Sequence, residues 1–588
     1  MHVAAASAPG GRHGARRDLP DATSDELISS PRRGITLRAV AFVPSPSGLA
    51  GGEPQAGPLL DRLAVAVLVV TAVIALLTFR DYGLGWDDYT HSEYGDLLLA
   101  LYGSGFADRR ALSFVNLYEY GGGFDMLAAL AAKAAPFALF ETRRLVGALV
   151  GLVGLAATWR TGRRIGGPLA GLCALILLAT CPLYIGHMFM NAKDAPFAVA
   201  MAILLLALVR AFETYPRIAP ATLALTGTGF GLSIGSRVMG GFGVLDLAGA
   251  LAFLAILQAR LEGLRPAAAR LGRFVLALLP AAVLAYAIMG LVWPWSVADP
   301  LNPLRAIEYF SHFFEKPWHE LFAGALVTVT EMPRSYVPTL FALQLPEIFL
   351  ALALAGAGGA AIAACRRALA PNRRAILLML LLAATLPIAV TVLAQPAMYN
   401  GIRHFVFVLP PLAVLGGLAG GWLIATLRRA SPRLAGAAGI VLMAGIALPI
   451  VDMARLHPYE YTFFNRLAGG VAGAHGRYML DYWGLSFKQA SQGLAVALAQ
   501  RHERKPPDRR WKLAVCGPHR SPQVELGPDF ETSWDPQGAD FALMLGEFYC
   551  ATFDAPVLVE IVREGVVYAR VYDIRGRSFP SLLTMPAP

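Results

Sequence analysis

The sequence predicts a multi-pass α-helical membrane protein of about 11 transmembrane helices followed by a C-terminal α/β soluble domain, and three observations carry that prediction. The 588 residues are 56% hydrophobic and only 15% charged, a balance outside the range of soluble globules. Eleven apolar runs are each long enough, at 1.5 Å rise per residue, to cross roughly 30 Å of hydrocarbon. Beyond the last run the chain turns polar and Pro-rich, with apolar stretches too short to span.

In chain order, residues 1–57 are rich in Gly, Pro, Ala, Ser and Arg without apolar periodicity, and are expected to form a disordered cytoplasmic tail. A signal peptide would place its apolar core within about the first 30 residues. Here the first run starts near Leu59, so it is expected to be a retained anchor. Residues 58–453 hold the spans, near 60–79, 143–160, 166–186, 194–211, 219–235, 238–258, 274–293, 346–364, 375–394, 403–425 and 434–451. Residues 454–588 form the last domain. Its Ser486-Phe487-Lys488-Gln489 has the form of a capping box ahead of an amphipathic helix to about Gln500. Strand-like runs follow at Trp511 to Val515, Phe541 to Leu545 and Val557 to Tyr572, the last expected to be a hairpin turning at Glu564-Gly565.

Orientation follows from the basic residues of the short loops. Arg160, Arg163, Arg164, Arg210, Arg217, Arg260, Arg265, Arg270, Arg273, Arg366, Arg367, Arg373, Arg374, Arg428, Arg429 and Arg433 fall in one alternating set. The other set holds Lys193, Arg237 and Arg403. This asymmetry places the N-terminus in the cytoplasm and the C-terminal domain outside. The net charge of +10 is then a topology signal and not a mark of nucleic-acid binding.

Two outer loops are long, 80–142 and 294–345. The first carries nine acids (Asp81, Asp87, Asp88, Glu93, Asp96, Asp108, Glu119, Asp125, Glu141) against four bases. Its Ser92 to Leu101 and Phe124 to Phe140 read as short helices, the second lying along the membrane interface. In the second loop, His312 and His319 flank the aromatic run Phe313-Phe314-Glu315-Lys316-Pro317-Trp318, whose expected role is interfacial anchoring. Asp246 sits inside the sixth span, where an ionised carboxylate costs at least roughly 2.5 kcal/mol, and is expected to be protonated or paired within the bundle. Cys173, Cys181 and Cys365 have ordinary apolar placements, whereas Cys516 and Cys550 share the outer domain and could form a disulfide in an oxidising compartment.

Several separated segments resemble GT-C glycosyltransferases, specifically the glycosyltransferase family 39 group that includes protein O-mannosyltransferases and lipid A aminoarabinose transferases. The resemblance covers about residues 60–450. Trp86-Asp87-Asp88 with Glu93 resembles that family's first-loop acidic motif, usually Asp-Glu, with Asp here in its second place. Met190-Asn191-Ala192-Lys193-Asp194-Ala195-Pro196-Phe197 resembles its second-loop Asp motif. Glu331-Met332-Pro333-Arg334 with Leu345-Pro346-Glu347, and Arg403-His404-Phe405 with Leu409-Pro410-Pro411, resemble its later segments. The resemblance implies an inverting transferase of the bacterial inner membrane, moving a hexosyl or pentosyl group at the outer face. The donor would be a polyprenyl-phosphate sugar and the acceptor a protein or glycan.

The residues suit that chemistry. A polyprenyl tail stays in the bilayer at about 0.8 kcal/mol per buried CH₂, so the enzyme must bring its groups to the headgroup plane. Transfer to a hydroxyl needs a general base, and the departing phosphate needs cations or hydrogen-bond donors. Asp87 is the first choice as base, and by the resemblance Asp88 and Asp194 help to hold acceptor or donor. Arg403, a guanidinium opening a span, is the first choice for the phosphate, with Arg237 and Lys193 behind it and Glu93 and His404 as further substrate contacts. Asp87, Asp88, Asp194 and His91 are also the candidate ligands of a divalent metal ion, and metal-free chemistry is equally open. Arg455 to Tyr461 and Arg477 to Gly484 carry aromatic and polar side chains that can stack on and hydrogen-bond sugars, but their expected role is to pack the outer domain onto the membrane region. The competing reading is a transporter or lipid flippase, against which stand the outer-face placement of the charges and the absence of an internal repeat.

Overall fold

The computed structural model describes residues 56–312 and 318–584. The expected tail therefore lies outside the described residues up to position 55, as does the aromatic run at 313–317. Among the described residues, nine helices are long and apolar enough to cross a membrane by length and composition. Each of the eleven expected spans is helical over most of its length: one of the nine holds the second and much of the third, which resumes after a break at Thr180-Cys181 as Pro182–Met190, and one span is short. Leu139–Ala179 is two helices joined at Gly167, whose φ of 85° suits a residue without a side chain, and Pro168 then opens the second helix. Pro220–Ser236 has 17 residues, at the short end for a span.

The centre of the bundle is Leu409–Ala430, whose residues from Leu409 to Gly421 are almost all buried between Leu139–Ala179 and Glu347–Cys365. Small residues allow that approach: a Cβ on Gly417 would meet the Ala170 carbonyl oxygen at 2.4 Å. Gly57–Thr78 and Pro432–Leu456 lie at the periphery and expose apolar side chains such as Leu77 and Ile440, as a lipid-facing surface requires. Asp246 is buried in Val238–Glu262 among Met201, Leu204, Leu205 and Phe407. It makes no ion pair among the described residues and its Oδ1 has no hydrogen-bond partner, so of the two expected states, protonated or paired, the paired one does not occur.

The Arg-rich loops meet at one end. There Arg163 pairs with Asp61 at 2.6 Å, Arg164 pairs with Glu213, and Arg373 donates to the Ile165 carbonyl at 3.1 Å. The long loops and the C-terminal domain gather at the other end. The first long loop folds as helix Asp88–Gly103 and helix Gly123–Ala132. The expected helix to Phe140 is broken by a turn at Lys133–Pro136, and Leu139 already belongs to the next span. The second long loop holds helix Asn302–Ser311, the antiparallel hairpin β1 (His319–Phe322) and β2 (Ala325–Thr328), and helix Tyr336–Gln344.

The C-terminal sheet has five strands: β3 (Trp511–Cys516), β4 (Phe530–Ser533), β5 (Phe541–Leu545), β6 (Val557–Arg563) and β7 (Val566–Asp573). Their order is β4-β3-β5-β7-β6, with β3 parallel to both neighbours and β7 antiparallel to β5 and β6. The hairpin turns at Glu564-Gly565, both with positive φ, the pattern of a tight two-residue connection. Helix Phe487–Gln500 packs on the sheet through Phe487, Leu494 and Leu498. The expected capping box does not form: the Ser486 hydroxyl turns to the Tyr568 carbonyl, while Asp481 accepts its backbone N–H. Cys516 and Cys550 form a disulfide at the end of β3.

Residues from Tyr459 to Leu485 share the hydrophobic core of the helical region, whereas the sheet has a core of its own. At their junction His457 lies between Glu460, 2.6 Å from Nδ1, and Asp81 of the first loop, 2.9 Å from Nε2, and Tyr82 donates to Glu460. Burial lowers the His457 pKa, but Glu460 and Asp81 raise it by more, so the net shift is upward. A raised pKa stabilises the fold fully below the unfolded value of about 6.5, and this is lost as pH rises through the folded value. The thermal midpoint in detergent is expected to fall across that window, and His457→Gln to flatten the fall; equal pH profiles would refute the assignment.

Candidate active site

The turn before helix Asp88–Gly103 sets apart two adjacent carboxylates. Asp88 is buried, takes two hydrogen bonds from Arg144 at 2.8 and 2.5 Å, and accepts the Gly85 backbone N–H at 2.8 Å. Arg144 also donates to the Gly83 carbonyl at 2.6 Å, so the pair clamps the whole turn. Gly85 has no room for a side chain, because the Trp483 ring lies where its Cβ would be. Asp87 is thereby turned the other way. Its side chain is 41% exposed, faces a cavity, and approaches Lys193 Nζ at 3.5 Å. Burial in the surrounding protein raises the Asp87 pKa, and the charges of Lys193, His91 and Arg403 lower it by more, to about 2.

Asn191 builds the opposite wall. Its Oδ1 accepts the backbone N–H groups of Lys193 and Asp194, and its Nδ2 donates to Asp194 at 2.9 Å. Asp194 is buried and forms an ion pair with Arg237, with Arg403 3.9 Å away on its other oxygen. Aromatic faces hold the three cations. Lys193 Nζ sits 4.7 Å from the centre of the Tyr120 ring, Arg237 lies over the same ring, and Arg403 sits between Tyr399 at 4.7 Å and Trp483 at 4.8 Å. Arg403 Nε has no hydrogen-bond partner. A further buried acid, Glu320 of β1, accepts the Asn400 backbone N–H and the Tyr336 hydroxyl and so fixes the segment leading to Arg403. Burial pushes its pKa up to about 7 against those hydrogen bonds.

The cavity encloses about 1000 Å³. Asp87, His91, Lys193 and Arg403 supply its charged or titratable floor, and Trp86, Tyr120, Trp318, Tyr399, Tyr482 and Trp483 its aromatic walls. Trp534, Phe548, Tyr549 and Leu582 of the C-terminal domain close it from above. Asp194 and Arg237 stand behind the lining. Asp88 is occupied by Arg144, Glu93 is exposed away from the cavity, and His404 packs edge-on against Tyr399 behind it. His319 lines the cavity, and His312 is exposed outside it.

The four candidate metal ligands do not come together. Asp88 is held by Arg144, Asp194 by Arg237 and His91 by Asp125, and among the described residues no three His, Cys, Asp or Glu side chains could hold a metal ion. Of the four, Asp87 and His91 line the cavity, and only Asp87 among the carboxylates is left without an arginine partner. Sequence reasoning took Trp483 as a packing residue and missed Tyr120, Glu320 and the paired Arg143 and Arg144. Two arginines opening a span beside an acidic loop were the available signal for the last two.

Residues 127–286 match the family model described as dolichyl-phosphate-mannose-protein mannosyltransferase. The match falls within the stretch that resembles GT-C glycosyltransferases and supports that resemblance. No curated protein matches the chain in sequence. Among solved structures, the chain is similar to ArnT from Cupriavidus metallidurans. The apo form shows 19% identity over 88% of this chain and 98% of that one, with a TM-score of 0.47. The form bound to undecaprenyl phosphate shows 17% identity over 87% and 97%, with a TM-score of 0.44. It is also similar to the apo oligosaccharyltransferase of Archaeoglobus fulgidus, with 15% identity over 81% of this chain and 65% of that one and a TM-score of 0.43.

Asp194→Asn removes the counter-ion of two buried guanidiniums and is expected to destabilise the protein by about 3 kcal/mol, read as a lowered unfolding midpoint in detergent. An unchanged midpoint would show that Arg237 and Arg403 are neutralised elsewhere.

Proposed function

We propose that this protein is an inverting membrane glycosyltransferase that moves a sugar from a polyprenyl-phosphate carrier to an acceptor at the outer face of the bacterial inner membrane. The observation that carries the reading is the cavity where Arg403 and Lys193 face Asp87 at one end of an apolar helical bundle. The other end gathers the Arg-rich loops, which the positive-inside bias assigns to the cytoplasm.

In this reading the donor phosphate binds against Lys193 and Arg403, with Arg237 supporting them through Asp194. The acceptor hydroxyl attacks the anomeric carbon from the side opposite the phosphate. A carbon–oxygen bond to the acceptor forms as the bond to phosphate breaks, and the electron pair leaves with the polyprenyl phosphate, whose charge the two cations stabilise. Asp87 accepts the acceptor proton. In the free protein Lys193 holds Asp87 as a weak base; a phosphate engaging Lys193 withdraws that charge and raises its basicity. The aromatic walls suit the faces of sugar rings on donor and acceptor, the latter a protein hydroxyl or a glycan.

The test is turnover by purified protein in lipid, supplied with radiolabelled polyprenyl-phosphate sugars and a membrane extract as acceptor. Wild-type protein is expected to transfer label, and a folded Asp87→Asn variant to lose about 10²-fold or more. Movement of labelled lipid between leaflets with no donor consumed by either protein would replace this reading with a transporter, for which the buried Asp246 would be the first residue to test.

A further inference from the structure

The β1–β2 hairpin of the second long loop is tied to both walls of the slot that holds Arg403. Strand alternation puts Glu320 and Phe322 on one inward face. Phe322 packs against Tyr336 and Tyr478, with ring centres at 5.1 and 5.8 Å, and pairs with Tyr478 in an antiparallel bridge. At the hairpin tip the Gly324 N–H donates to the Arg477 carbonyl at 3.0 Å, so the stretch that runs on to Trp483 is attached to the hairpin. Glu320, 1% exposed, holds the other wall. Both of its oxygens accept the Asn400 N–H at 2.9 Å, and the Tyr336 hydroxyl donates to Oε1 at 2.9 Å while accepting the Gly401 N–H at 3.0 Å. Asn400 and Gly401 are both left-handed, with φ of 56° and 69°, so the chain turns sharply just ahead of Arg403. The Met398 N–H donates to the Val329 carbonyl at 3.2 Å, and Trp318, just before β1, meets the Tyr399 ring edge-on at 5.7 Å. A buried carboxylate is costly unless hydrogen bonds satisfy it, and here the donors come from this one turn and from the hydroxyl bound to it.

We infer that Glu320 and Tyr336 are positioning residues for the donor site: by holding the 398–401 turn they keep Arg403 between Tyr399 and Trp483, where its guanidinium meets the donor phosphate. This rests on the reading of Arg403 as the phosphate ligand of the transferase. Arg403 has few contacts of its own to fix it. Asp194 stands 3.9 Å away, Nε has no hydrogen-bond partner, and ring faces cover the guanidinium on two sides without setting its position along them. Its place therefore follows from the backbone that carries it. Glu320 and Tyr336 do not line the cavity, so they act on the phosphate through Arg403 and not by touching it.

The test is binding of a radiolabelled polyprenyl phosphate, carrying no sugar, to the full-length protein in lipid. Glu320→Ala is expected to weaken binding about tenfold, the scale of one hydrogen bond to a charged group, and to raise donor KM in transfer assays while acceptor KM stays within about twofold. In an Arg403→Ala background the same substitution is expected to change binding by less than about twofold, because the group it positions is gone. Tyr336→Phe keeps the ring and removes only the hydroxyl, and it is put through the same cycle in case Glu320→Ala does not fold. A folded variant that binds the phosphate like wild type overturns the proposal, as does one that weakens binding equally with and without Arg403. A wild type that binds the phosphate but transfers no sugar removes the transferase reading and leaves the cycle standing, whereas a wild type that binds no phosphate removes both.

Discussion

Three cations around one cavity at the end of an apolar bundle need an anion behind them, and that anion is Asp194. It is almost fully buried, is held in place by Asn191, and faces Arg237 and Arg403 from the first turn of its helix. The helix N-terminus adds partial positive charge to the same point. Without this carboxylate, buried guanidiniums from separate loops would repel one another, so the meeting of the second-loop, Arg237 and Arg403 segments depends on it. Tyr120, Tyr399 and Trp483 complete the arrangement by covering the cations with ring faces while leaving Lys193 and Arg403 open to the cavity.

The first loop shows how neighbouring residues of one chemical type acquire opposite tasks. Asp88 is spent on Arg144 and on the backbone of its own turn, and that clamp aims Asp87 at the cavity. The acidic pair of the first loop thus divides into a member held by Arg144 and a member that faces the cavity. Asp125 repeats the device one helix later, where Arg143 neutralises one oxygen and leaves the other to orient His91.

The C-terminal domain takes part in the site rather than hanging beside it. Tyr459, Tyr461, Tyr482 and Trp483 belong to the core of the helical region, and Trp534, Phe548 and Tyr549 roof the cavity. Trp86 of the first loop stacks against Trp534 at 5.8 Å, and Arg520 lies over Tyr89. Access to the cavity is therefore bounded on one side by the membrane region and on the other by residues of the C-terminal domain.

The sequence by itself determined the membrane class, the eleven helical segments and the α/β character of the last domain. Each of these rests on local composition and periodicity, which tertiary packing rarely overrides in long apolar runs. It also singled out Lys193, Arg237 and Arg403, because basic residues in the short outer loops are few, and Asp87 in the acid-rich first loop, while Asp88 and Asp194 came from the family resemblance. Strand β4 escaped because Phe530 to Ser533 is a short edge run with one apolar residue. The kink at Gly167 and the broken end of the first-loop helix were decided by single Gly and Pro residues within apolar runs. Only the tertiary structure decided which of two adjacent acids faces the cavity, that Asp88 and Asp194 are each held by an arginine, and that His91 is held by Asp125. Those outcomes turn on which buried cation reaches each carboxylate, and the partners lie 34 to 56 residues away or more, beyond any local signal.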